Sequence, residues 1–190
     1  MSAQDLRERR KNSAMLRVQE AAIALFEKKG FDAVTMDDVA READVGVASV
    51  YRWFSTKENL IIWDEYDPDL IDSIRVQLII VDKPVAAVLR ALIDGIGAVY
   101  KRDKRRILRR ADLVARTPAL TDAARINVHL LRAALADVLK IKVKDHLERQ
   151  LLAAVLASTL EVAVEEWRVQ RGKKPLDEIM VRAFEALERL

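Results

Sequence analysis

The chemistry-bearing side chains of this chain are crowded into residues 35–58, TMDDVAREADVGVASVYRWFSTKE. Hydroxyls (Thr35, Ser49, Tyr51 among them), an indole (Trp53) and the cations Arg52 and Lys57 alternate there with apolar Val39, Ala40, Val50 and Phe54. Hydroxyls and cations on a compact helical unit suit hydrogen bonding to phosphates and to base edges. Catalysis is poorly supplied. The two histidines, His129 and His146, do not have HExxH spacing, there is no cysteine, and no glycine-rich phosphate loop occurs. Glu161 and Glu165 share a helix face, but a di-metal site would need carboxylates and Glu-x-x-His motifs from four helices. We therefore expect no catalytic residues, no metal ligands and no cofactor.

Two short helices joined by a tight turn must position these groups. Thr35 followed by Asp38 makes a capping pair, so a helix begins at Met36. Asp44 tolerates a turn conformation, and VASVYRWF forms the next helix through Phe54. Ser55-Thr-Lys-Glu58 reads as a second capping box, opening a helix that runs through Trp63 toward Tyr66. Before this unit, Val18, Ala22, Leu25 and Phe26 fall on one face of a helix over 14–29, which Gly30 stops. Arg7, Arg9, Arg10 and Lys11 form a basic arm ahead of it, suited either to a DNA groove or backbone or to a solvated tail. Two short helices at a tight turn form a helix-turn-helix, which places its second helix in a DNA major groove. The same geometry also describes a plain corner in a helical bundle.

Residues 18–60 settle the choice by resemblance. The ordered pattern Leu25-Phe26, Gly30-Phe31, Thr35, Val39-Ala40, Ala43, Val45, Ser49-Val50-Tyr51, Phe54, Lys57-Glu58 and Leu60 closely resembles the N-terminal domain of the TetR family of repressors. Two positions depart from it: Asp44 stands where a glycine often occurs, and Gly46 where a polar residue often begins the recognition helix. The resemblance implies an all-α fold of about nine helices. A three-helix helix-turn-helix domain (residues 1–58, with its arm) would precede a helical effector-binding and dimerisation domain (59–190). It implies a repressor, active as a cytoplasmic homodimer on a near-palindromic operator in double-stranded DNA, and released by a small-molecule effector. Thr35, Ser49 and Tyr51 would contact phosphates, with Gly46, Val47 and Ala48 at the groove-facing start of the recognition helix. Arg52 would read guanine or hold a phosphate, Trp53 would lie against the sugar-phosphate backbone, and Lys57 would anchor a phosphate.

The rest of the chain is helical in composition. Half of its residues are hydrophobic (51%), with only 5 Gly and 4 Pro, which suits helices joined by short loops. Net charge is +3, but residues 1–66 carry 10 Lys/Arg against 12 Asp/Glu, a balance of −2. Contact with nucleic acid would thus rest on local placement of cations, not on a global field. No apolar run approaches the length of a membrane span, so no membrane partner is expected. Apolar stripes recur over 85–100, 107–115 and 120–138. Residues 146–169 are apolar on two sides, Leu151, Val155 and Val162 on one, and Leu152, Leu156, Leu160, Ala163 and Trp167 on the other. We assign the second stripe, with Phe184, to the dimer, although either stripe fits. The effector site draws on Trp63, Tyr66, Ile96, Tyr100, Asn127, Leu131 and Glu161. The basic run Lys101–Arg110 reads as a solvated helix face, and also as a match for an acidic effector such as an acyl-CoA.

Overall fold

The computed structural model describes residues 3–64 and 67–189, with side chains other than those of residues 3–5, 67–69, 96–101 and 188. Nine α-helices follow one another among the described residues: α1 (Ala3–Lys29), α2 (Met36–Glu42), α3 (Val47–Phe54), α4 (Asn59–Ile62), α5 (Asp67–Ile80), α6 (Pro84–Arg116), α7 (Pro118–Val138), α8 (His146–Val169) and α9 (Leu176–Glu188). A single 3-10 turn, Leu139–Ile141, follows α7. The all-helical expectation holds. The chain divides into two compact units, Met1–Glu65 with Asp112–Ala124, and Tyr66–Ala111 with Arg125–Leu190.

In the first unit, Met15, Val18, Ala22, Leu25 and Phe26 of α1 are buried with Val39 and Ala40 of α2, Val50 and Phe54 of α3, and Leu60 and Ile61 of α4. Leu113 near the end of α6 and Leu120 near the start of α7 complete this core. Gly30 ends α1 in the left-handed region (φ 86°), its N–H donating to the Phe26 carbonyl at 3.0 Å. Phe31 then turns back edge-on to Phe26, with ring centroids 5.0 Å apart. Helix α1 starts at Ala3, about three turns earlier than its apolar face requires, and residues 6–13 are exposed all round. The basic arm is therefore helical.

The second unit is built on Ile74 and Leu78 of α5, Val88 and Leu92 of α6, Leu135 of α7, Leu156, Leu160 and Trp167 of α8, and Met180 and Phe184 of α9. The two apolar stripes read over 85–100 and 107–115 lie on two helical segments of α6 that meet at a kink at Asp103 (φ −108°, ψ 16°). A difference lies at α4. Its expected capping box does not form: Ser55 is in a positive-φ conformation (61°), and Thr56 Oγ1 accepts from Asn59 N at 3.3 Å instead. The helix is four residues long and ends before Trp63.

Candidate nucleic-acid interface

The helix-turn-helix is assembled from short-range hydrogen bonds. At the start of α2, Thr35 Oγ1 accepts from Asp38 N at 3.1 Å while Asp38 Oδ2 accepts from Thr35 N at 3.0 Å, a complete capping box. The Thr35 hydroxyl also donates to Asp38 Oδ2 at 2.7 Å, and Arg41 Nη1 donates to Asp38 Oδ1 at 3.1 Å. These contacts, the Thr35 hydroxyl first, hold the Asp38 carboxyl below its ordinary range. Both donors of Thr35, expected to face a phosphate, are thus engaged by a carboxylate.

The turn between α2 and α3 depends on Asp44, which takes φ 52° where a glycine is often found. Asp is among the few side chains that adopt this region at modest cost. Ala43 and Val45 N–H groups return to the Val39 and Ala40 carbonyls at 2.9 and 3.0 Å, closing α2. Gly46 begins α3 with its carbonyl accepting from Ser49 and Val50, and has no side chain to offer a cap.

Helix α3 sorts its side chains by face. Val50 and Phe54 are buried, Trp53 is half-buried against the same core, and Val47, Ala48, Tyr51 and Arg52 are exposed. Residues 47 and 51, and 48 and 52, are pairs four apart and so neighbours on the helix surface. Arg52 Nη2 donates to Ser49 Oγ at 3.2 Å, which fixes the guanidinium beside that face. The structure therefore brings Val47, Ala48, Ser49, Tyr51 and Arg52 together, with Gly46 at their head. Trp53 sits at the border between this surface and the core.

Lys57 lies elsewhere. Its ammonium donates to the carbonyls of Phe31 (2.8 Å) and Val34 (3.2 Å) and stands 4.1 Å from the centroid of the Phe31 ring. It fastens the α1–α2 connection to the start of α4, a role that spacing in the sequence gave no sign of. Gln19 has a similar one: it is fully buried, and its Nε2 donates to the Trp63 carbonyl at 2.8 Å. The only signal for it was a polar residue on the apolar face of α1.

The residues expected to form an effector site fall in both units or outside the described residues. Tyr66 and the side chains of Ile96 and Tyr100 lie outside the described residues. Trp63 packs edge-on against Phe54 in the first unit, at 5.8 Å between centroids. In the second unit, Leu131 packs against the core, Asn127 is half-buried, and Glu161 is exposed. Within the basic run, Arg102 and Arg106 pair with Asp103 at 3.1 and 3.6 Å, and Lys104 Nζ donates to the Gly172 carbonyl at 2.6 Å. Of the residues assigned to the dimer, Leu156, Leu160, Ala163, Trp167 and Phe184 are buried in the core of a single chain, and Leu152 is half-buried. The exposed aliphatic side chains of α8 are Leu147, Leu151, Val155, Val162 and Val169.

Among the described residues no cluster of three or more metal-binding side chains forms, and no helix is long and apolar enough to cross a membrane.

Comparison with known proteins agrees with this geometry. Residues 19–62 match the model of the bacterial regulatory proteins of the tetR family, and residues 82–190 match that of the MftR C-terminal domain. The HTH-type transcriptional repressor KstR of Rhodococcus jostii is 40% identical over 62 residues, which are 33% of this chain and 27% of that protein. The putative mycofactocin biosynthesis transcriptional regulator MftR of Mycobacterium tuberculosis is 32% identical over 62 residues, 33% of this chain and 31% of that protein. The match thus spans about a third or less of these relatives' length. In overall fold the chain is similar to SmeT in its triclosan complex (TM-score 0.60, 14% identity, 92% of this chain and 91% of that one). It is likewise similar to Thermus thermophilus FadR in complex with lauroyl-CoA (TM-score 0.56, 20% identity, 91% and 92%).

Proposed function

The chain belongs to the TetR family of bacterial regulatory proteins, and from that premise we propose that it is a repressor that binds operator DNA as a homodimer and is released by a small-molecule effector. DNA binding belongs to residues 1–58, and effector binding and dimerisation to residues 59–190. The observation that carries the reading is the outer face of α3, where Val47, Ala48, Tyr51 and Arg52 stand exposed while Val50 and Phe54 anchor the helix from behind. A helix held this way can enter a major groove without loss of core packing.

A single recognition helix reads few base pairs. Two, about 34 Å apart in a dimer, read a near-palindrome in successive major grooves. The exposed stripe of α8 supports the dimer: Leu147, Leu151, Val155 and Val162 recur every three to four residues or a multiple of that, as an unpaired helix would not favour in water. This is the stripe opposite to Leu156, Leu160 and Trp167. An effector bound within residues 59–190 acts by preferring a dimer state with the wrong separation of recognition helices, and lowers operator affinity by that preference. The acyl-CoA complex of Thermus FadR and the basic residues of α6 make an acyl-CoA one candidate class. The site of action is the cytoplasm.

The test is a titration of the protein against the intergenic DNA upstream of its own gene and against genome fragments, at two salt concentrations. We expect tight binding to a near-palindromic site with a steep salt dependence, weakened about tenfold or more in Arg52→Ala, a bidentate base contact being worth about 1–3 kcal/mol. Binding without sequence preference across the genome would sink the reading.

A further inference from the structure

We propose that the operator half-site is read chiefly through a thymine methyl group, contacted by Val47 and Ala48, with a guanine close by that is contacted by Arg52. This rests on the reading of α3 as the DNA-contacting helix and adds the base chemistry that it selects.

The argument begins with exposure. Among the described residues of the first unit, the large apolar side chains left exposed are Leu6 near the chain start, and Val47 (40%) and Tyr51 (48%) on α3. The other large apolar side chains described in this unit are buried or half-buried. Val47 and Tyr51 are four residues apart, so their exposure forms one patch, and Ala48 extends it. Val47 is 40% exposed and is not among the residues packed into the core, to which α3 contributes Val50, Phe54 and the half-buried Trp53.

The chemistry of the first turn then limits what the patch can recognise. Gly46 has no side chain, and those of Val47 and Ala48 have no polar atom. Adenine is usually read by Asn or Gln, and cytosine by Asp or Glu. Neither kind of group stands on the exposed face formed by residues 47, 48, 51 and 52. The one apolar feature of the major groove is the C5-methyl of thymine. A patch of methyl groups facing water gains free energy by covering it.

Arg52 supplies the complementary polar contact. Its guanidinium is tied at 3.2 Å to Ser49 Oγ. This holds the planar fork along the exposed face, and that fork matches the O6 and N7 acceptors of guanine. Ala48 and Arg52 are one helical turn apart, roughly 6 Å along the axis. At about 3.4 Å per base step, the thymine and the guanine fall within about two or three base pairs of each other.

The decisive probe removes one methyl group and nothing else. Duplexes would be enriched by the full-length protein from a random-sequence pool. The consensus would then be resynthesised with deoxyuridine replacing each half-site thymine in turn. One buried methyl is worth about 0.8 kcal/mol, so we expect about a fourfold rise in Kd per half-site at one or two positions, and roughly 15-fold when both half-sites are changed. Val47→Ser, or Ala48→Ser, should erase that difference at the matching position, with an unchanged thermal midpoint as the control for folding. Uracil tolerated at every thymine within about twofold would overturn the proposal and leave DNA binding intact. So would a full uracil penalty surviving in both variants, since the methyl would then act through DNA shape. Failure to enrich any sequence would remove the DNA-binding reading itself, and the proposal with it.

Discussion

Helices α3 and α8 pose the same question, which face meets a partner, and they answer it differently. Helix α3 has eight residues, of which Val50 and Phe54 are enough to bury its inner side. What remains outside is a cation, a hydroxylated ring, a valine and an alanine. Helix α8 has 24 residues and apolar side chains on two sides. One side, with Ala153, Leu156, Leu160, Ala163 and Trp167, is buried within the chain, while Leu147, Leu151, Val155 and Val162 on the other are exposed. Apolar character says that a surface is to be covered, but not by what. Only the larger and smaller residues distinguish the two sides: Trp167 and the alanines suit tight packing against neighbouring helices of the same fold.

The largest expected effect tests that distinction. Leu156→Ala should cost about 2–5 kcal/mol of unfolding free energy, because the side chain is fully buried and leaves a cavity. Leu151→Asp should leave the secondary structure intact and shift the protein from dimer to monomer in sedimentation at micromolar concentration. A Leu151→Asp protein that remains dimeric would remove α8 from the proposed interface.

The contrast also explains what was readable in the residues. The capping box at Thr35, the stop at Gly30 and the span of α3 are local, each set by a few neighbouring side chains, and all three are present in the structure. The α4 cap is local too, yet Thr56 took the place expected for Ser55, which the turn drives to φ 61°. The two apolar stripes of α6 were legible, each on its own helical segment, but the kink that divides them at Asp103 was not, since no glycine or proline stands there. Least legible were contacts between residues distant in sequence. Nothing around Lys57 announces that its ammonium meets carbonyls at Phe31 and Val34, or around Gln19 that it meets Trp63.

Lys57 and Arg52 extend the comparison to two cations of one motif. Lys57→Ala removes two charge-assisted hydrogen bonds and a cation–π contact, with an expected loss of stability on the order of 1–3 kcal/mol. DNA affinity should fall through misplacement of the α2 start, with the slope of log K against log salt unchanged. A phosphate anchor behaves otherwise, its loss lowering that slope by about one. Parallel salt titrations of the wild type, Lys57→Ala and Lys57→Arg decide between the two, and a slope reduced in Lys57→Ala would return this residue to the phosphate-binding set.

The smallest effect comes from the start of α2, and it carries a pH signature. Thr35→Ala removes an N-cap and should cost about 1 kcal/mol near neutral pH. Part of that loss depends on the charge of Asp38, which accepts from the Thr35 hydroxyl and the Thr35 N–H. The Asp38 carboxyl is held below its ordinary range in the folded chain. Its contribution is therefore complete above the unfolded value near about 4 and is lost as pH falls through the lower folded value. The gap in stability between wild type and Thr35→Ala should accordingly narrow below about pH 4 in urea titrations. It should not vanish, because the hydroxyl still accepts from the Asp38 N–H at 3.1 Å whatever the charge of the carboxyl. In an Asp38→Asn background the same gap should be flat with pH. A gap that stayed constant in the wild type as well would mean that donation from the Thr35 hydroxyl to the Asp38 carboxylate contributes nothing, and that this hydroxyl holds α2 through the Asp38 N–H alone.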